Sequence, residues 1–308
     1  MKAAVIPIFP MVVDNTMREE LIRCEKAAYW NHERGLKLIG EDPDLHAGHA
    51  FAKGVEMARR AFWEEGQEAY DAVLAGVGAL YKDYGNFVYP TSLYKFKTAD
   101  RMAGALTYYF EKHPFDREIK PLQILERLAI EYGFGSELLI THPTKGIKLV
   151  YGTKPDLIEV RNGVVWAVDE KTGGNLSDAW ANQWTMNSQI TGYCWAIQKL
   201  LIASEIDLPF GGVEVRGVGI GKTQFSHVPL QITRMQWEID RWYKQMVLDI
   251  KRWTGIHLYG LHSMALGHAC ATYNAPCAYQ KLCKAHDPEY LIEGNYEVRH
   301  WNPLEKQK

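Results

Sequence analysis

The chain has no apolar run near the roughly 18 residues that would suggest a bilayer-spanning helix. A membrane span is therefore not expected. It also lacks a convincing secretion signal, because the short apolar run in "MKAAVIPIFPMVVDN" is interrupted by one lysine and two prolines. A cytoplasmic protein is the expectation. Basic excess is missing too: 35 Lys and Arg stand against 37 Asp and Glu, for a net charge of −2. That argues against an abundant, non-specific nucleic-acid binder, so any such contact must rest on a local patch or a bound metal. Cysteine is scarce and odd in number, five in all. Three of them, Cys270, Cys277 and Cys283, crowd towards the C-terminus, which in a reducing compartment points to metal before disulfides. No internal repeat or low-complexity linker divides the sequence.

What is present is a globular composition. Its 308 residues are 47% hydrophobic and 23% charged, enough for a sizeable core. One domain spanning 1–308 is simpler than two: a helical region at about 40–130, a core at about 131–232, then a helix and cysteine-rich segment at 233–308. Residues 16–35 read as a helix carrying Cys24, with Thr16 and Glu19 as a capping box and Gly35 as the stop. Residues 49–82 read as two helices broken near Gly66 or Gly76–Gly78. A Tyr- and Phe-rich stretch follows at 84–96, then a helix at about 98–112. The pattern turns to β from about 130 to 173. A helix is expected at 177–203, and strands at 212–221 and 225–232. In "MQWEIDRWYKQMVLDIKRW", Met235, Ile239, Trp242, Met246, Ile250 and Trp253 form one helical stripe. The tail after 284 reads as irregular.

The most informative stretch is "YGTKPDLIEVRNGVVWAVDEKTGG", residues 151–174. Asn162-Gly163 is a strong hairpin signal, because both residues accept positive φ. With those two as the loop, Arg161 pairs with Val164, and counting outwards sets Asp156 opposite Asp169 on one face. Lys171 shares that face and Glu170 points away. Two carboxylates facing each other across a ladder repel. A protonated carboxyl would relieve this. A divalent cation would relieve it better, since Mg²⁺ takes one or two carboxylates and keeps positions open for water and phosphate. The bland reading is a surface hairpin with solvated ends.

Lys154-Pro155-Asp156 and Asp169-Glu170-Lys171 resemble the PD-(D/E)xK motif of the restriction-endonuclease-like nucleases. The closer resemblance is to the RecB-like branch, which includes CRISPR-associated and phage-type exonucleases. Gln189-Ile-Thr-Gly-Tyr193 matches the Q-x-x-x-Y motif of that branch, and its two polar residues share a helix face. Some members carry an iron–sulfur cluster on one N-terminal and three C-terminal cysteines. Cys24, Cys270, Cys277 and Cys283 fit that order, although the first C-terminal gap is wider than usual. A 4Fe–4S cluster, a zinc ion and unliganded cysteines stay open as readings. Cys194, beside Tyr193, reads as an inert core residue.

The resemblance implies an α/β fold: a mixed central sheet flanked by helices, with a helical insertion and a C-terminal cysteine clasp. It implies a Mg²⁺- or Mn²⁺-dependent deoxyribonuclease, an exonuclease of recombination, repair or phage DNA metabolism. Asp156, Asp169 and an upstream glutamate would hold the metal; Glu131 is the first choice, with Glu126 and Glu137 as rivals. Lys171 would orient or deprotonate water, and Gln189 and Tyr193 would steady the site. DNA is the expected partner, with a helicase, recombinase or other nucleic-acid-processing protein beside it. One departure stands out. The family often has a histidine in a G-x-x-x-H context, where this chain has Gly48 and then Ala52; His46 or His49 could stand in. That departure motivates a rival reading, a catalytically weak DNA-binding or assembly protein on the same fold.

Gly217-Val-Gly-Ile-Gly-Lys-Thr223 mimics a phosphate-binding loop but has Arg216 where that motif needs glycine, and no helix follows. Arg216 and Lys222 could line a DNA path, or be solvated cations at a strand end.

Overall fold

The computed structural model describes residues 7–40, 42–90, 96–272 and 275–305. Part of the aromatic 84–96 stretch, residues 91–95, lies outside them. We number the elements of five or more residues in chain order. The helices are α1 (Asn15–Arg23), α2 (Pro43–Trp63), α3 (Ala69–Tyr84), α4 (Ala99–Lys112), α5 (Asp178–Asn182), α6 (Ser188–Ala203), α7 (Gln236–Tyr259) and α8 (Gln280–Lys284). The strands are β1 (Phe134–Thr141), β2 (Lys148–Thr153), β3 (Leu157–Arg161), β4 (Val164–Gly173), β5 (Phe210–Ile220) and β6 (Phe225–Ile232). The chain divides into two compact units. One holds residues 1–40, 133–153 and 237–308; the other holds 41–132 and 154–236.

The second unit carries a five-stranded mixed sheet, in the order β6, β5, β4, β3 and the short strand Lys120–Pro121. β4 and β5 run parallel, while β3–β4 and β5–β6 are antiparallel. The Asn162-Gly163 turn forms as expected, with φ of 51° and 75° at its two residues. The ladder then runs from Arg161 opposite Val164 to Leu157 opposite Val168. One face of the sheet packs Val218 and Ile220 against apolar residues of α2, α3 and α4. The parallel β4–β5 pair needs a crossover, and α6 supplies it and packs on β5. The architecture is therefore mixed α/β. Apolar residues of α2 recur at Ala47, Phe51, Val55, Ala58 and Phe62, so one stripe faces the core. The break between α2 and α3 falls around Gly66. Thr98 caps α4 by accepting from the Arg101 N–H.

The first unit has a three-stranded sheet in the order Val12–Val13, β2, β1. α7 buries Ile239, Trp242, Met246, Ile250 and Trp253. Each such side chain contributes about 1.5–3 kcal/mol of burial. Met235 drops out of the expected stripe: it precedes the helix and is 68% exposed. Three other expectations are corrected here. Asp14, not Thr16, caps α1, accepting from the Met17 N–H at 2.8 Å. The helix expected over 16–35 also breaks at Cys24, whose backbone is extended (φ −165°, ψ 111°). A short helix, Glu25–Ala28, and a π-turn, Tyr29–Glu33, follow. The tail after 284 is not wholly irregular, because Tyr296–Val298 pairs antiparallel with Leu36–Leu38. No described helix is long and apolar enough to cross a membrane.

Candidate active site

The open end of the β3–β4 hairpin lies in the second unit, and the expected residues meet there. Asp169 on β4 is 1% exposed, and both its oxygens are engaged. Lys171 Nζ lies 2.6 Å from Oδ2. Tyr193 Oη donates to Oδ1 at 3.1 Å, and Gln189 Nε2 donates to Tyr193 Oη at 2.8 Å. Gln189 and Tyr193, one turn apart on α6, thus form a single hydrogen-bonded chain that ends on the carboxylate. Burial raises the Tyr193 phenol well above its ordinary value, and the Asp169 and Asp156 charges add to the rise. Its hydroxyl therefore stays a donor.

Asp156 stands one residue outside the ladder, since β3 begins at Leu157. Its Oδ2 accepts from the Glu170 backbone N–H at 2.6 Å. Burial pushes the Asp156 carboxyl well above the usual range, and the Glu170, Asp169 and Glu131 charges push it further. Lys171 shows the opposite balance: burial pulls its ammonium down, but Asp169 and Asp156 outweigh it and the net shift is up.

Glu131 also comes to this end. Its N–H donates to the Asp156 carbonyl at 3.0 Å, and its carboxylate lies 2.6 Å from Lys154 Nζ. Burial raises its pKa despite Lys154. Its φ of 50° is left-handed, a conformation that costs a non-glycine residue about 1–2 kcal/mol. Of its rivals, Glu126 is exposed in the turn between Gln123–Ile124 and Arg127–Leu128, and Glu137 is exposed on β1 of the other unit.

Glu170 points through the opposite face, as alternation requires. There it meets Arg59 of α2, with Nη2–Oε1 at 2.5 Å and Nη1–Oε2 at 3.2 Å. Tyr109 of α4 donates to the same carboxylate at 2.8 Å. Burial alone would raise Glu170, but Arg59 dominates and lowers it to about 2. Arg216 joins this network. It was expected along a DNA path, but it is 7% exposed and bonded to Glu159 and Glu214, at 2.7 Å and 2.8 Å, and to Tyr109. The register explains the correction: Arg216 lies beside Glu170 on β4, on the face that α2 and α4 cover. Lys222 is exposed in the turn between β5 and β6.

Carboxylate oxygens are the donors a hard divalent cation takes, and neighbouring carboxylates add to the cost of ionising buried Asp156 and Glu131. Asp156, Asp169 and Glu131 are the residues that would hold it. Lys171 and Lys154 now balance two of these charges. Among the described residues, no group of three or more His, Cys, Asp or Glu side chains is placed so as to hold a metal ion as it stands. Neither candidate histidine stands in for the missing one. His49 Nδ1 pairs with Asp83 at 2.8 Å, and His46 Nε2 lies 3.0 Å from the Tyr84 carbonyl, so both face the end of α3.

The four cysteines lie in the first unit, and all are free thiols. Cys24, Cys277 and Cys283 share one apolar cluster with Trp30, Leu36, Tyr279 and Tyr296. The Ala265 N–H donates to Cys24 Sγ at 3.5 Å, and Cys270 Sγ donates to the Ala265 carbonyl at 3.6 Å. Burial raises the Cys283 thiol, and the nearby Cys24 and Cys277 add to the rise. The thiols are neighbours through shared backbone and charge. Cys194 is buried on α6, in the other unit.

Sequence reasoning passed over Lys154, Arg59, Tyr109 and Trp184. Arg59 carried a signal, since it sits in step with Phe51 and Val55 on an apolar stripe where a free charge would be costly. Trp184 carried none; its ring lies 5.8 Å from Lys171 Nζ.

No family model and no curated protein matches the chain. Among solved structures, a candidate exonuclease from Eubacterium rectale aligns with a TM-score of 0.50 and 11% identity, covering 84% of this chain and 87% of that one. At that identity the likeness speaks for the fold. The protein SSO0001 aligns at a TM-score of 0.26 and 12% identity, over 75% of this chain and 83% of its own, and carries no argument.

Proposed function

We propose that the chain is a metal-dependent DNA nuclease of the RecB-like PD-(D/E)xK type, acting as an exonuclease. The observation that carries this reading is the convergence of Asp156, Asp169, Lys171 and Glu131, with Tyr193 bonded to Asp169 and Gln189 bonded to Tyr193. Hydrolysis of phosphodiesters needs such a set: acidic oxygens for a cation, a cation beside them for water or phosphate, and fixed hydrogen bonds to hold both. The likeness to a candidate exonuclease supports the fold half of the reading.

Asp156, Asp169 and Glu131 would hold Mg²⁺ or Mn²⁺, which when bound supplies a more acidic water and positive charge for the phosphate. Lys171 is protonated at rest, because its carboxylate neighbours raise its pKa. It therefore orients the attacking water and meets developing negative charge; it accepts a proton only after giving up its own. Tyr193 fixes the free rotation of Asp169, and Gln189 fixes Tyr193. The Glu170 N–H holds Asp156 in register.

A second reading, a DNA-binding or assembly protein with weak activity, is favoured by Ala52, which brings a methyl where the family carries a histidine. In either case we propose that DNA is the partner, with a helicase, recombinase or other processing protein acting beside it. We also propose that Cys24, Cys270, Cys277 and Cys283 hold a 4Fe–4S cluster, with zinc as the alternative, joining the N-terminal helices to the C-terminal segment of that unit.

The decisive assay is cleavage of linear DNA with Mg²⁺ or Mn²⁺. Asp169→Ala and Lys171→Ala should each abolish it; wild-type rates in both would refute the assignment. DNA bound but never cut, at any metal concentration, would select the second reading.

A further inference from the structure

On the face of the sheet turned away from Asp169 and Lys171, the second unit leaves a cavity of about 230 Å³. That is the space of roughly eight water molecules at about 30 Å³ each, where close-packed interiors keep few voids larger than one. Its walls are apolar and aromatic: Trp63 at the end of α2, Phe110 of α4, Phe115, and Leu157 of β3. The rings brace one another. Phe110 and Phe115 stack with centroids 4.7 Å apart, and Trp63 meets Phe115 edge to face at 5.2 Å.

The floor is polar and buried. Arg59 is 2% exposed and Arg216 is 7% exposed, and both line the cavity with Tyr109 and Glu159. Arg59 Nη2 and Arg216 Nη1 donate to the same phenol oxygen of Tyr109, at 2.9 Å and 3.2 Å, so the two guanidinium groups meet at one place. Their acceptors do not use them up. Nη1 and Nη2 make every hydrogen bond of Arg59, to Glu170, Tyr109 and the Asp156 carbonyl, so its Nε–H meets no acceptor among the described residues. Arg216 Nη1 carries two hydrogens and donates once, to Tyr109. A buried donor without an acceptor is costly, and more so on a charged group. Water meets such a floor but finds no partners along such walls. A molecule with one polar end and one apolar body meets both.

Charge selects the polar end. The lining holds three cations, Arg59, Arg216 and Lys112, and two anions, Glu159 and Asp116. Glu170 and Glu214, which also pair with the arginines, stand outside the lining. His113 adds no charge. Its Nε2 lies 2.8 Å from His227 Nε2, and burial lowers it to about 3, with Arg216 and His227 pushing the same way. The lining is left with one positive charge. Lys112 and Asp116 are exposed and mark the mouth.

We propose that this cavity is a binding site for a small organic monocarboxylate with a flat apolar body, about the size of benzoate. Its two oxygens accept the spare N–H groups of Arg59 and Arg216, and its body lies between Trp63, Phe110, Phe115 and Leu157. A planar carboxylate matches guanidinium donors in shape, whereas a phosphate dianion brings a second charge that the lining does not balance. Arg59 then holds the ligand on one edge and Glu170, whose N–H holds Asp156, on the other. The site stands behind β4, and the inference does not depend on the nuclease reading.

The test is isothermal titration of benzoate into the intact chain in EDTA, with benzyl alcohol, acetate and inorganic phosphate as comparisons. Benzoate should bind with a Kd below about 1 mM, and each comparison at least about tenfold more weakly. Lys112→Glu, at the exposed mouth, should weaken benzoate about tenfold. Ile119→Trp, which fills the cavity from its lining, should abolish binding. Asp169→Asn should bind benzoate as wild type does. No binding of benzoate by wild type overturns the inference. Benzyl alcohol or phosphate binding as tightly as benzoate overturns it too, because the site then selects no carboxylate with an apolar body. Binding that survives both cavity variants, or that is lost in Asp169→Asn, puts the anion elsewhere and has the same force. If Ile119→Trp fails to fold, Lys112→Glu decides: an unchanged Kd overturns the inference.

Discussion

Asp156 is the least comfortable residue at the hairpin's open end. It is buried among the carboxylates of Glu170, Asp169 and Glu131, and its pKa is raised accordingly. The sign of the consequence follows from linkage. A carboxyl whose folded pKa is raised destabilises the fold at neutral pH, and the penalty fades as pH falls through that raised value. Asp156→Asn keeps an oxygen to accept the Glu170 N–H and deletes the charge. In EDTA at pH 7 the variant should melt higher than wild type, by about 2–4 °C for each kcal/mol of repulsion removed. DNA cleavage should be lost at the same time. A lower melting point would show that the Asp156 charge is satisfied without a cation. The same residues show what a sequence can reveal. Asn162-Gly163 was readable because both turn residues need positive φ, and it fixed which face Asp169 and Lys171 share. Lys154, close to Glu131, was not, because a lysine one residue before Pro155 has no local partner to announce it. Trp184 was hidden for a similar reason, since its place over Lys171 is made across the fold and no local pattern marks it.

At the scale of elements, β4 divides two kinds of chemistry between its faces. Asp169 and Lys171 look towards α6, while Glu170 looks towards α2 and α4 and is locked by Arg59 and Tyr109. The lock matters to the site because the backbone N–H of Glu170 holds Asp156. Arg59→Ala would leave the buried Glu170 charge without its ion-pair partner and with only the Tyr109 hydroxyl still donating to it, a loss of roughly 3–5 kcal/mol. It should also change the acid limb of stability. With Glu170 lowered to about 2, its contribution is complete above the usual glutamate value near 4.5 and disappears as pH falls towards 2. Wild-type protein should lose that stability between those values, and Arg59→Ala should show a shallower loss there in chemical denaturation. Equal slopes would place the stability elsewhere. Strands and helices were largely legible from periodicity and turn residues. Arg216 was misread because its pairing with Glu159 reaches past β4 to β3, while Glu214 lies two residues away on β5 itself, and that strand read in isolation looks like an exposed alternation of charge. The helix break at Cys24 was hidden for a different reason: "LIRCEKAAYW" is helical by propensity, and tertiary packing overrides it.

At the scale of the whole molecule, each compact unit carries its own cluster of candidate ligands. Acidic side chains gather in one, where we propose a hard divalent ion, and thiols gather in the other, where we propose iron–sulfur or zinc. Protein purified without oxygen should be brown, with broad visible absorption, if the thiols hold a cluster; colourless protein with stoichiometric zinc would rule the cluster out. The central claim concerns the oxygen site, that its mutually repelling carboxylates are built to take a divalent cation. Isothermal titration of Mn²⁺ into metal-free protein tests this most directly. The expected result is saturable binding by wild type, with protons released as Asp156 and Glu131 ionise, and no such binding by Asp169→Asn. The contradicting result is no Mn²⁺ binding by wild type, or binding that Asp169→Asn leaves unchanged.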